Sequence, residues 1–226
     1  AYRAEICPPG DRARLLFRMG EVYEHELRDV ERAQDRYAEA LVAAPEDDSI
    51  LDALARCYGR AGRHRDLVEL LSQKARRASD ARTRVQLHRR IARILSEQLD
   101  NPSAASEAWE NVLTDDPANE EALRFAVDSA RRGRKFDRLV VLLTNLADVA
   151  PTEDERVELL LEKATILRDD LGKPDDALAV VEQITDHVAP ADATPMHAGA
   201  LDWLRAHYEE TEQFDRECDV LRRLLG

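Results

Sequence analysis

The stretch from Arg84 to Leu123, RVQLHRRIARILSEQLDNPSAASEAWENVLTDDPANEEAL, decides the fold. Leu87, Ile91, Ile94 and Leu95 recur at steps of three and four, the spacing that gathers side chains on one face of an α-helix. Asn101 and Pro102 end that run. Proline fits the first turn of a helix and not its interior, so a second helix begins there. Ala105, Ala108, Trp109, Val112 and Leu113 mark its inward side, and Asp116-Pro117 closes it. The stretch spells one helical hairpin and the opening of the next.

The same hairpin recurs on both sides at a fixed distance. Arg84-Val85-Gln86-Leu87 has counterparts in Arg12-Ala13-Arg14-Leu15 and Arg156-Val157-Glu158-Leu159, each 72 residues away. Met19, Val22, Leu27, Ala33, Tyr37 and Pro45 fall opposite Ile91, Ile94, Leu99, Ala105, Trp109 and Pro117. The third copy supplies Lys163, Ile166, Leu171, Ala177, Val181 and Thr185. A second kind of hairpin lies between the copies. In one block Asp47 or Asp48 caps a helix carrying Ile50, Leu51, Leu54 and Tyr58, Gly62 breaks it, and Leu67, Val68, Leu70 and Leu71 stripe its partner. In the next, helices are expected from Glu120 to Arg132 and from Phe136 to Val149, broken at Gly133. The last block carries an insertion of about six residues at Ala189–Pro195, measured by the repeat offset.

Six hairpins follow, at 11–46, 47–80, 81–118, 119–151, 152–190 and 191–226, as one array. Tyr2-Arg3-Ala4 falls opposite Lys74-Ala75-Arg76, so residues 1–10 are expected to be the end of a helix from a preceding unit, and the chain a fragment of a longer array. Hairpins repeated at this length stack on their neighbours, each covering an apolar face that its neighbour cannot bury alone. The expected class is all-α. The odd-numbered hairpins are expected to be longer, by a turn on their first helices.

Composition narrows the function. A net charge of −13 argues against a general grip on nucleic acid, which needs a basic surface. No apolar run approaches the roughly 20 residues that span a bilayer. Cys7, Cys57 and Cys218 are odd in number and widely spaced, which fits reduced thiols and a cytoplasmic setting better than a disulfide framework. Arg far outnumbers Lys, a usage expected of a GC-rich, and here bacterial, genome. No phosphate loop or nucleophile elbow occurs, and the six histidines form no short metal-ligand pair, so no enzyme, metal or cofactor is expected. His197 and His207 are expected to be packed or solvent-facing.

The residues that carry the repeat resemble the tetratricopeptide family. Leu16, Met19, Gly20, Tyr23, Ala33, Tyr37, Ala40 and Pro45 give nearly its full signature. His88, Ile91, Ala92, Leu95, Ala105, Trp109, Val112 and Pro117 give the central copy. The hairpin with Leu51, Leu54, Ala55, Tyr58 and then Leu67, Leu71 and Lys74 is degenerate. The half-a-TPR repeats of RNA-processing scaffolds are a weaker match through Trp109 and Pro117. The resemblance covers the whole chain and implies a right-handed superhelical solenoid of about six antiparallel hairpins, acting as a protein-binding scaffold. It also implies a concave side lined by the first helix of each hairpin.

On that side the resemblance places Arg56, Arg60, Arg89, Arg93, Arg124, Arg131 and Arg168, with Arg14, Phe17, Glu21, Asp52, Gln86, Leu161 and Thr165 among them. Residues 51–100 hold twelve Arg or Lys against six Asp or Glu, while 150–226 hold eight against nineteen. A basic centre in an acidic chain makes the arginines a candidate groove for the carboxylates of an acidic peptide or partner surface, because guanidinium binds carboxylate through two parallel hydrogen bonds. The bland alternative is that they are solvated arginines paired with neighbouring acids. The Lys and Asn set with which some family members clamp a chaperone's terminal carboxylate is absent, since Phe17, Glu21 and Ala53 stand there. A self-assembling array, with association through uncapped ends, is the rival class, and RNA scaffolding ranks below it.

Overall fold

A computed structural model describes residues 9–186 and 195–225. Every regular element among them is helical. The chain divides into two compact units, Ala1–Asp115 and Asp116–Gly226.

The first unit holds α1 (Pro9–Glu21), which continues into a wider π-helical turn (Val22–Glu26), then α2 (Val30–Ala43), α3 (Asp48–Arg60), α4 (His64–Arg77), α5 (Ala81–Glu97) and α6 (Pro102–Asp115). Each packs against the next in order. The second unit holds α7 (Glu120–Arg132), α8 (Phe136–Asp148), α9 (Glu153–Asp169), α10 (Pro174–Asp186), α11 (Pro195–Glu210) and α12 (Phe214–Leu225). These too pack in sequence, and α9 also touches α11. Consecutive helices joined by a few residues and packed together run antiparallel, so the units are built of hairpins. Pro9 and Gly10 already belong to α1, and residues 1–8, the rest of the stretch expected to end a preceding helix, lie outside the described residues.

Short polar side chains start the helices where the sequence placed them. Asp47 accepts from the amides of Ser49 and Ile50 at 2.9 and 3.4 Å, and Asp80 accepts from Thr83 at 2.7 Å. Asn101 accepts from Ala104 at 3.2 Å, just ahead of Pro102 in the first position of α6. Each such bond satisfies an amide that the first turn leaves unpaired.

The 72-residue register is written in the backbone. Non-helical, positive-φ residues end the long first helices at Arg28, Asp100 and Gly172, evenly spaced by 72. Each follows the same bond, Leu27 N–H to Val22, Leu99 to Ile94 and Leu171 to Ile166, all at 3.1 Å. The first helices of the intervening hairpins, α3, α7 and α11, end at Gly62, Arg134 and Glu212, also at positive φ. There Arg63, Lys135 and Gln213 donate to Tyr58, Ala130 and Tyr208, and Gly62, Arg134 and Glu212 to Gly59, Arg131 and Glu209. This pair of bonds is the Schellman closure of a helix. The step from 62 to 134 is 72 and the next is 78, which gives the inserted six residues; residues 187–194, most of the inserted stretch, lie outside the described residues. α5 and α9 have 17 residues against 13 in α3 and α7, one extra turn as expected, whereas α11, which follows the insertion, has 16.

Small residues set the helix spacing. Ala33, Ala92, Ala105, Ala164 and Ala177 have no exposed surface, nor does Tyr37. A Cβ on Gly20 would stand 2.5 Å from the Tyr37 ring, so α1 and α2 approach only because that residue is glycine.

Candidate functional site

The seven arginines separate by what they touch. Arg56 and Arg60 lie one turn apart on α3 and converge on Glu24, whose carboxylate sits in the π turn at the end of α1. Glu24 is a buried acid at 4% exposure. It takes a hydrogen bond from the Tyr37 hydroxyl at 2.9 Å and ion pairs from Arg60 at 3.3 Å and Arg56 at 3.5 Å. A carboxylate removed from water needs such donors, and three side chains from two helices supply them. Burial first, then the bond to Glu24, pushes the Tyr37 phenol far up from 10.0. Burial, helped by the Glu24 charge, pushes the neighbouring Cys57 thiol up to about 11. This cluster locks the first hairpin to the second.

In the second unit Arg124 pairs with Glu120 at 2.9 Å and with Glu155 on α9. Arg131 pairs with Asp128 at 2.7 Å and reaches Glu162 on α9 through two nitrogens, each at 3.0 Å. Arg168 pairs with Asp169 at 2.6 Å and lies over the Trp203 ring at 5.2 Å. Trp203 stacks on buried His207, next to Tyr208, whose hydroxyl donates to Glu182 at 2.7 Å. His197 is buried as well. Arg56, Arg60, Arg124, Arg131 and Arg168 thus hold carboxylates of their own chain, and Arg124 and Arg131 tie α7 to α9.

Arg89 and Arg93 on α5 also have partners within the chain. They line a cleft of about 570 Å³ that opens between α5 and the α3–α4 corner. Gln86, Arg90, Glu97 and Gln98 share its α5 wall; Gly59, His64 and Leu67 form the other. Three guanidiniums therefore share the cleft with one carboxylate, Glu97. The His64 Nδ1 is buried there without a hydrogen-bond partner. A smaller cleft of about 320 Å³ between α2 and α4 has an apolar floor of Leu41, Leu54 and Leu70 and an acidic edge at Asp66 and Glu69.

Sequence reasoning missed Glu24. Its register mates are Ser96 and Arg168, so no repeated pattern marks it, and the π turn that rotates it inward has no motif. Cys57 is a buried free thiol and Cys218 an exposed one; Cys7 lies outside the described residues. Among the described residues no cluster of three His, Cys, Asp or Glu side chains is placed to hold a metal, and no helix is long and apolar enough to cross a membrane.

No protein family model matches the chain, and no curated protein matches it. Among solved structures it is similar to a tetratricopeptide repeat protein from Parabacteroides merdae, at 13% identity over 95% of this chain and 93% of that one, with a TM-score of 0.46. It is similar to YrrB, described as a TPR protein with an unusual peptide-binding site, at 14% identity over 81% and 87% of the two chains, with a TM-score of 0.42. It is also similar to the Thermus thermophilus TPR protein TTC0263, at 16% identity over 95% and 100%, with a TM-score of 0.32.

Proposed function

We propose that this chain is a non-enzymatic scaffold for protein interaction, and that its α3–α5 cleft receives an acidic segment of a partner protein. The observation that carries this reading is the cleft itself, about 570 Å³ with Arg89, Arg90 and Arg93 on one wall and Glu97 as its acid. Arg89 and Arg93 stand four residues apart on α5 and project together. A pair of guanidiniums at that spacing takes successive carboxylates of an extended peptide, and Gln86 and Gln98 add neutral donors. A cytoplasmic setting, with Cys57 and Cys218 reduced, belongs to the same proposal.

The test is fluorescence polarisation of a fluorescein-labelled decaglutamate titrated with the whole chain at two salt concentrations. Binding should weaken as salt rises, and Arg89→Glu with Arg93→Glu should abolish it. The control Arg14→Glu, at an 80% exposed side chain on α1, should leave it intact. Affinity unchanged in the double variant removes the cleft from the function.

A further inference from the structure

The place that the cleft takes in the first unit has a counterpart in the second, between α7 and α9, and the two differ by an exchange. Arg131, near the end of α7, holds Glu162 on α9 through two nitrogens at 3.0 Å each. The residues 72 positions earlier are Gly59, near the end of α3, and Arg90 on α5. In the second unit the corner helix carries the cation and α9 the anion. In the first unit the cation stands on α5 instead, and the corner has no side chain to meet it.

Gly59 and Arg90 both line the cleft of about 570 Å³. A Cβ on Gly59 would meet Leu67 Cδ2 at 3.8 Å, an ordinary contact, and nothing closer. Unlike Gly20, this glycine is therefore not demanded by close helix packing. Nor is it demanded by the turn, whose left-handed residue is Gly62. Glycine within a helix weakens it, so its effect here is to leave room beside the basic wall. Arg90 is exposed and forms no ion pair with a described residue. Arg89 and Arg93 are replaced by Leu161 and Thr165 at the same register of α9, so the basic wall belongs to the first unit together with the opening over Gly59.

We infer that the space over Gly59 seats one carboxylate side chain of an extended acidic segment of a partner protein, held by Arg90 through the two parallel bonds that Arg131 and Glu162 make within the chain. This rests on the reading of the cleft as an acidic-segment site, and names its anchor, Arg90, and its opening, Gly59. The chain shows by its own second unit that a guanidinium and a carboxylate fit this place together. A second copy is the poorer source of the acid, because α9 keeps Glu155 and Glu162 on Arg124 and Arg131.

Fluorescence polarisation of fluorescein-labelled decaglutamate with the 226-residue protein tests the seat. Arg90→Gln should weaken binding about tenfold. Gly59→Glu should weaken it at least as much, because the introduced carboxylate takes Arg90 within the chain. The Arg90 Nε–H resonance should shift on titration of the unsubstituted protein, a readout that needs no variant to fold. A double-mutant cycle in thermal unfolding needs no peptide at all: relative to its own background, Gly59→Glu should leave the midpoint higher in the parent than in the Arg90→Gln chain. Decaglutamate that is lost with Arg89→Glu and Arg93→Glu, yet binds the Arg90→Gln and Gly59→Glu chains as tightly as the parent, overturns the seat and leaves the cleft standing. Decaglutamate that does not bind the parent overturns both. Equal midpoint changes in the two backgrounds overturn the seat as well. So does a low-salt light-scattering mass above that of one chain that Arg90→Gln returns to one chain, since the acid is then a second copy's.

Discussion

Gly20 and Tyr37 show how one missing carbon governs a cluster of charges. The Tyr37 ring lies against the glycine, is flanked by Phe17 at a centroid distance of 5.4 Å, and holds its hydroxyl on Glu24. Glu24 in turn gathers Arg56 and Arg60, so the position of the phenol sets the position of the ion pairs. Alanine at Gly20 would improve helix propensity by about 1 kcal/mol. It would also place a methyl 2.5 to 2.9 Å from three atoms of a ring that is wholly buried. Overpacking of this kind costs about 1–3 kcal/mol, so the net effect of Gly20→Ala is destabilising. Chemical denaturation should show a lower midpoint at unchanged slope. A midpoint equal to or above that of the parent would mean that the ring moves freely and that Glu24 is not held by it. The need for a small residue at Gly20 was legible in the sequence, because Ala92 and Ala164 share its register. The carboxylate beside it was not, because partners 32 and 36 residues apart are chosen by helix spacing and side-chain reach, which leave no periodic trace.

At the scale of elements, helix boundaries were read closely where capping chemistry wrote them. The spans expected from Glu120 to Arg132 and from Phe136 are those of α7 and α8, because Asn119 caps the first and the Gly133 corner separates them. Gly62 announced the end of α3, but the equivalent positions hold Arg134 and Glu212, whose side chains give no hint that their backbone is left-handed. A side chain with a Cβ in that region costs roughly 1–2 kcal/mol, which glycine avoids. Glu212 stands at φ 58° in the same Schellman closure that Gly62 makes at φ 68°. Glu212→Gly is therefore expected to stabilise the chain by about 1 kcal/mol and to raise the midpoint of thermal unfolding, and Gly62→Ala to lower it by a similar amount. Arg134→Gly is the less clean test, since the Arg134 guanidinium lies 5.7 Å from the Phe136 ring and glycine would remove that cation–π attraction. Equal midpoints for Glu212→Gly and the parent would show that the turn relaxes its strain elsewhere.

In the whole molecule, each helix packs mainly on the ones before and after it in its own unit, so stability is a sum over neighbouring helices rather than the property of one central core. The repeat makes this legible in the sequence, through the offset that joins Leu15, Leu87 and Leu159. The division after Asp115 was not legible, because Asp116-Pro117 closes a helix at the same place in the repeat as Pro45, and compactness depends on how many side chains meet, which spacing alone does not count. A cavity opened in one unit should then be felt first by the helices packed around it. Leu139 on α8 is 1% exposed, and truncation of such a leucine to alanine costs about 2–5 kcal/mol. Native-state hydrogen exchange of Leu139→Ala is expected to accelerate in α7 to α10, while the amides of α1 to α4 keep the protection of the parent chain. Two compact units of 115 and 111 residues can respond separately in this way only if unfolding is not a single cooperative event. Equal acceleration across α1 to α4 would establish the opposite, that the hairpins unfold together and that a cavity at Leu139 weakens the whole chain.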